Sequence, residues 1–372
     1  MRILIIGGSN SLLKDGYVTQ LRQSLQHYTP VEIVQLSVGA TSSLAAVARL
    51  CETASTEPCD FILYEYGIND SGHFSPRAGG IESWQLCLYL LLKTAARLYP
   101  SAIFVPLMLA QQHHFAASVP HPLYDAQIQA YAELGLPCID IRATLSSLFL
   151  QFAPDWLYSD SAHYAVPQAS SIVGALVAQQ LLVLLSRRGH GDGGGAAPVS
   201  AVWQRLHARS PFAGVEMVYV PALALQPYTS GPVQAGHAAN RLMQLDYLRM
   251  QPGSRLELNS AMYPLAVFLK ADAQHDALQL DLQGADGSAH ALRVATRHID
   301  TDGRNFIHTN IPLPLLWGAT LAVPFVPTRL VLSVPPEAGG AQAAFDCFGA
   351  GLPQASGRYL DLTGILMLSQ PA

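Results

Sequence analysis

Arg2-Ile3-Leu4-Ile5-Ile6-Gly7-Gly8-Ser9-Asn10-Ser11 is the stretch on which the reading of this chain turns. Residues 2–6 are a compact β-rich run that passes directly into a glycine turn, with a serine at the start of a helix. In open α/β sheets ligands collect outside the carboxyl ends of strands, so Ser9 stands where a reactive group belongs. Glycine lets the backbone approach a substrate, and the N–H groups opening a helix stabilise negative charge. A plainer reading stands beside this one: Ser9 or Ser11 caps the first helix. A phosphate-binding loop does not fit, because neither GxGxxG nor GxxxxGK[ST] is present.

Outward from this turn the same texture repeats. Residues 32–36, 61–66, 102–107 and 138–141 are short and β-like, while 12–27, 83–99, 124–134 and 167–186 carry apolar residues at helical spacing. Glu82 opens the second of these helices and Pro100 closes it. Strands alternating with helices predict a three-layer, mostly parallel α/β sheet over residues 1–187. Residues 188–200, rich in glycine, predict a flexible linker. Beyond them short runs separated by turns predict an all-β sandwich or jelly roll over residues 201–372. Leu278, Leu280 and Leu282 alternate there with Gln279, Asp281 and Gln283, which puts one face in a core and one in water.

Composition narrows the chemistry. With 372 residues, half of them hydrophobic and 13% charged, the chain exceeds what one core usually serves. A formal net charge of -5 offers no basic field for a nucleic-acid backbone, so a neutral or weakly polar substrate fits better. The five cysteines are an odd number without CxxC spacing, which argues against a disulfide framework or a zinc site. The first apolar run is too short for a signal sequence, and residues 172–185 are interrupted by Gln179 and Gln180 and shorter than a bilayer span. The expectation is a soluble, cytoplasmic protein with no membrane partner.

Three more segments could join Ser9. Tyr158-Ser159-Asp160-Ser161-Ala162-His163 places an aspartate and a histidine three apart, able to share one pocket. Serine is a poor nucleophile unless a base held in the right tautomer takes its proton. Gly67-Ile68-Asn69-Asp70 follows a strand, and the Asn69 amide could donate to an oxyanion. Gly39, in Ser37-Val38-Gly39-Ala40, could offer its N–H in the same way. Each segment also reads as an ordinary turn. Asp70 is a turn former or a substrate contact, and Gln111, His113 and His114 could line the pocket. Metal is not expected at the paired histidines, since adjacent side chains point apart and no carboxylate lies at ligand spacing. Trp84 and Trp156 read as packing. Tyr228, Tyr263 and Trp317 could stack on sugar, although buried aromatics are the commoner case. The β-domain then binds carbohydrate or serves a structural or oligomerising role.

Taken in order, Ser9, Gly39, Asn69 and the Asp160/His163 pair resemble the four blocks of the SGNH hydrolases, the GDSL-type esterases and lipases. The resemblance covers the first half of the chain and implies a flavodoxin-like sheet. It implies Ser9 as nucleophile, His163 as base and then acid, and Asp160 as the residue that orients it. The Ser9 and Gly39 N–H groups and the Asn69 amide become the oxyanion hole, and no cofactor is implied. Residues 124–140 are similar to the family's penultimate helix and strand. The family commonly has Gly-Asp-Ser where this chain has Gly7-Gly8-Ser9, and that aspartate is credited with positioning the turn. The GxSxG elbow of the α/β-hydrolases is absent. The expected activity is hydrolysis of acyl esters, acetyl above all, on a carbohydrate. Acyl transfer to a saccharide through the same acyl-serine is the alternative, and a degenerate binding protein is the third reading.

Overall fold

The computed structural model describes residues 1–53, 57–75, 77–115, 121–149, 154–189, 195–240, 243–275, 277–284, 287, 289–298, 306–313, 328–335, 345–346 and 359–369. The chain divides into two compact units, Met1–Ala213 and Gly214–Ala372. In the first, β1 (Arg2–Gly7), β2 (Glu32–Gln35), β3 (Phe61–Glu65), β4 (Ile103–Met108) and β5 (Ile139–Asp140) form a parallel sheet ordered β2-β1-β3-β4-β5. The chain reverses its direction of travel across this sheet between β1 and β3. In open α/β sheets ligands gather at such a switch point, outside the strands' carboxyl ends.

Two helical layers cover the sheet. Ile3, Ile5, Phe61, Leu63, Ile103 and Val105 pack on one face against α1 (Tyr17–Gln26) and the last long helix. Strand alternation sends the equally buried Leu4, Ile6, Ile62, Tyr64 and Phe104 to the other face. Chain order adds α2 (Ser43–Glu52), α3 (Gly67–Phe74), α4 (Gly80–Leu98), α5 (Pro122–Glu133), α6 (Ile141–Leu148) and α7 (Gln168–Gly189). Pro122 suits the first position of α5, where no N–H is needed, and the Asp140 side chain caps α6 through the Ala143 N–H at 2.8 Å.

Helix α7 runs longer than the apolar run read from the sequence, and Gln168–Arg188 is long and apolar enough to cross a bilayer by length and composition. Its Val173, Val177 and Leu181 are buried in the same core as Tyr17, Leu21 and Leu25 of α1.

The expected domain boundary moves. Residues 190–194 of the expected linker lie outside the described residues, and α8 (Val199–His207) belongs to the first unit rather than the second. Helix α8 buries Val199 and Val202. The Val199 N–H donates to Ala102 O at 2.7 Å, Arg205 donates to Leu134 O at 2.6 Å, and Trp203 meets Tyr89 edge-on at 4.7 Å.

The second unit begins with β6 (Glu216–Pro221) and the short helix α9 (Ala222–Leu225). Its further strands are β7 (Thr229–Ser230), β8 (Val233–Ala239), β9 (Gln244–Met250), β10 (Arg255–Ser260), β11 (Tyr263–Ala271), β12 (Ala277–Gly284), β13 (Ala289–Ala295), β14 (Ile307–Pro312), β15 (Thr328–Ser333), β16 (Phe345–Asp346) and β17 (Leu360–Ser369). They form two sheets, β16-β13-β12-β15-β10-β7 and β14-β11-β17-β9-β8, with β6 on β17. Leu256, Leu280 and Leu332 of the first sheet share one core with Val267, Ile311 and Leu362 of the second, which makes the unit a β-sandwich. The alternation expected along β12 is present, with Leu278, Leu280 and Leu282 buried.

Candidate active site

Strand β1 ends at Gly7, whose partner on β3 is Glu65, and the Gly8 N–H donates to Glu65 O at 2.8 Å. Ser9–Leu12 then form a single 3-10 turn, with Ser9 half-buried at its mouth. The glycines here are needed for space. A Cβ on Gly7 would stand 2.3 Å from Ser11 Oγ, and one on Gly8 would stand 2.0 Å from Asn69 Oδ1. Side chains from elsewhere therefore fill both positions. That of Asn69, in the first turn of α3, lies over the turn that carries Ser9.

Opposite Ser9 is a tight loop closed by a bridge between Tyr158 and Tyr164 and by the Ser159 N–H donating to His163 O at 2.9 Å. Asp160 Oδ1 accepts from the N–H groups of Ala162 and His163, both at 2.8 Å. Its Oδ2 lies 2.7 Å from His163 Nδ1, and His163 Nε2 lies 2.7 Å from Ser9 Oγ. Partial burial raises the affinity of Asp160 for a proton. The donors from Ala162 and His163, together with the imidazole, outweigh it and hold the carboxyl below its ordinary value. An anionic Asp160 fixes Nδ1 as the protonated nitrogen and leaves Nε2 to accept from the serine.

One side chain joins these two segments, and the sequence reading did not single it out. Asn10 is 3% exposed; its amide donates to Ala162 O at 2.9 Å and its Oδ1 accepts from the Tyr164 N–H at 3.1 Å. The residue after the serine therefore grips both neighbours of the histidine. Further support comes from Tyr158, whose hydroxyl donates to Ala110 O at 2.6 Å, and from the Gln112 N–H, which donates to Ser161 O at 3.0 Å.

Gly39 completes the cluster. A Cβ there would stand 3.2 Å from Ser9 Cβ, so glycine permits the approach of the two backbones. The Val38 N–H donates to Gly7 O at 2.9 Å, and Tyr66 and Thr41 donate to Val38 O. Ala40 follows at φ 58, a left-handed conformation that costs a non-glycine residue energy and bends the loop over the serine. Among the described residues, nothing accepts from the N–H groups of Ser9 and Gly39 or from the Asn69 amide. The arrangement can take a proton from a hydroxyl and offer donors to an oxygen beside it.

No protein-family model matches this chain, and no curated protein matches it in sequence. Among solved structures, a two-domain esterase active on acetylated mannans matches 100% of this chain and 92% of its own, with 13% identity and a TM-score of 0.60. The crystal structure of that esterase with mannopentaose covers 100% and 91% at 13% identity and a TM-score of 0.58. The fold, an α/β unit followed by a β-rich one, is that of this two-domain esterase. A G-D-S-L family protein from Desulfitobacterium hafniense covers 48% of this chain and 98% of its own, with 14% identity and a TM-score of 0.39.

Within this fold, two expectations need correction or completion. Asp70 is not a substrate contact. It is fully buried, it accepts from the Ser43 N–H at 2.8 Å and from the Tyr64 hydroxyl at 3.2 Å, and burial pushes its carboxyl up to about 7. Its work is to cap α2, whose own Ser42 makes no side-chain cap. Gln111 is half-buried and His113 exposed, on the segment that Gln112 ties to Ser161, while the side chain of His114 lies outside the described residues. Trp84 is buried as expected, whereas Trp156 is 47% exposed. Tyr228 is exposed, Tyr263 is half-buried, and Trp317 lies outside the described residues.

Among the described residues, the β-sandwich holds one group of side chains with metal-like spacing, Asp272, His275 and Asp361. The donor set does not suit an ion, because cations of the chain already occupy it. Lys270 Nζ lies 2.5 Å from Asp361 and 3.2 Å from Asp272, and Arg249 makes two bonds to Asp361, at 2.8 and 2.9 Å. Burial pushes His275 down to about 4, and its Nε2 accepts from the Asp361 N–H at 3.1 Å. The cluster is a saturated ion network.

Proposed function

We propose that the chain is a serine esterase that removes acetyl groups from a carbohydrate. The observation that carries this reading is the line Asp160–His163–Ser9, with 2.7 Å at each step. A likeness of fold to an esterase active on acetylated mannans supports the choice of acyl group and substrate class.

His163 Nε2 takes the Ser9 proton as Oγ attacks the ester carbonyl. The N–H groups of Ser9 and Gly39 and the Asn69 amide hold the oxyanion, at about 3 to 4 kcal/mol per donor. His163 then protonates the departing sugar oxygen, which leaves as the free hydroxyl, and water repeats the sequence on the acyl-serine. Transfer to a second saccharide would use the same intermediate and differ only in the acceptor.

Acetylated manno-oligosaccharides and p-nitrophenyl acetate test the reading. The wild type should release acetate and nitrophenol, and Ser9→Ala should lower kcat by about 10⁴-fold or more, as loss of a serine nucleophile does. Turnover undiminished in Ser9→Ala would sink the assignment. Acetyl transfer to an added sugar faster than release of acetate would move it to the acyltransferases.

A further inference from the structure

Gly8 leaves the turn beneath Ser9 without a carboxyl of its own, yet a carboxyl reaches the turn from the neighbouring strand. Glu65, the last residue of β3, is fully buried. Its Oε2 accepts from the Ser11 hydroxyl at 2.9 Å and, at 3.2 Å, shares the Gly8 N–H with the Glu65 carbonyl oxygen at 2.8 Å, and Ser11 Oγ lies 2.7 Å from the Tyr17 hydroxyl. The two donors bracket Ser9 and Asn10. One carboxyl oxygen thus grips both ends of the segment that supplies the proposed nucleophile, one oxyanion donor and the clamp on the His163 loop. Its other oxygen, Oε1, is buried and, among the described residues, has no hydrogen-bond partner.

Resting on the esterase reading, we propose that Glu65 is a positioning residue for the nucleophile turn and acts as the neutral carboxylic acid. The titratable groups around it are Tyr17 on α1, Tyr66 just past β3, Asp70 on α3 and Tyr164 on the His163 loop. None is a cation, so among the described residues only the two neutral donors offset an ionised form. A charge on Oε2 would also lie one residue from the Ser9 N–H, beneath donors that must hold a developing negative oxygen. Ionisation therefore opposes the reaction, whereas the neutral acid can still accept from Gly8 and Ser11. Burial pushes the group up to about 8, against the donors of Ser11 and Gly8 that pull it down, so the neutral form predominates at pH 7.

The test is a pH series on the full chain carrying Glu65→Gln or Glu65→Ala, with folding checked by near-UV circular dichroism. In the wild type kcat/KM should fall as pH rises through about 8. Glu65→Gln keeps an acceptor for both donors and cannot ionise. It should lose no more than about threefold at pH 6.5 and lack the alkaline limb. Glu65→Ala should lose about a hundredfold in kcat with little change in KM. A readout independent of ester chemistry runs beside these: the Gly8 amide resonance of ¹⁵N-labelled protein should titrate with a midpoint near 8 in the wild type and stand still in Glu65→Gln. An alkaline limb preserved in Glu65→Gln, a Gly8 amide that does not titrate in the wild type, or wild-type kcat in folded Glu65→Ala would each overturn the proposal. Activity surviving Ser9→Ala would instead remove the esterase reading, and the amide titration would still decide whether Glu65 governs the turn.

Discussion

Glu65 in the first unit and Asp361 in the second are both fully buried, and the chain treats them in opposite ways. Asp361 is surrounded by compensation: two bonds from Arg249, one from Lys270, and its own N–H anchored on His275. Glu65 has two neutral donors on one oxygen and, among the described residues, none on the other and no cation beside it. The first arrangement holds a sandwich together and leaves no valence for a guest. The second is poorly stabilised as a charge, and a group in that condition can take or lose a proton near neutral pH.

The largest test of this contrast is Asp361→Asn, which strands Arg249 and Lys270 without their carboxylate. It should cost about 3–5 kcal/mol in denaturant unfolding, the range for breaking a buried pair. A loss below 1 kcal/mol would show the network to be ornamental. Next comes Gly8→Ala. The Cβ can be accommodated only if the Asn69 side chain, 2.0 Å away, leaves its place. The change should cost about a hundredfold in kcat with KM little altered, as loss of one oxyanion donor does. Full activity in Gly8→Ala would mean that the amide has no part in the reaction. The smallest effect belongs to Asn10→Ala, which releases both neighbours of His163 while leaving the Asp160 bonds intact. A loss of about tenfold in kcat is expected, and an Asn10→Ala enzyme as fast as the wild type would show that the loop holds itself.

Much of this was legible in the sequence. Strands β1, β3 and β4 are unbroken apolar runs because helices cover both their faces. Ser9, Asp160 and His163 drew attention through their residue types, the Asp-x-x-His spacing and their order along the chain, since each segment alone reads as a turn. Helix α2 escaped notice because Ser43, Leu44, Ala45, Ala46, Val47 and Ala48 are all buried, which erases the periodicity of an amphipathic helix, and because its cap is the distant Asp70. Helix α3 was hidden in residues that read as a turn, Gly67, Asn69, Asp70 and Gly72. Strand β17 is buried over nearly its whole length, so no alternation betrays it. Glu65 and Asn10 were silent for another reason. A lone acid closing a strand and an asparagine after a serine carry no local signature, and their partners lie 57 and 152 residues away.

The last rung of the β1–β3 ladder pairs Gly7 with Glu65. Alignment of the chemistry is therefore inherited from strand pairing rather than tuned by loop conformation. Sliding one strand past the other by a single residue would turn the acid to the opposite side of the sheet and carry Asn69 about 3.3 Å along the strand axis. The proposed site is consequently as accurate as the sheet beneath it, and loops elsewhere can drift in sequence without disturbing that alignment.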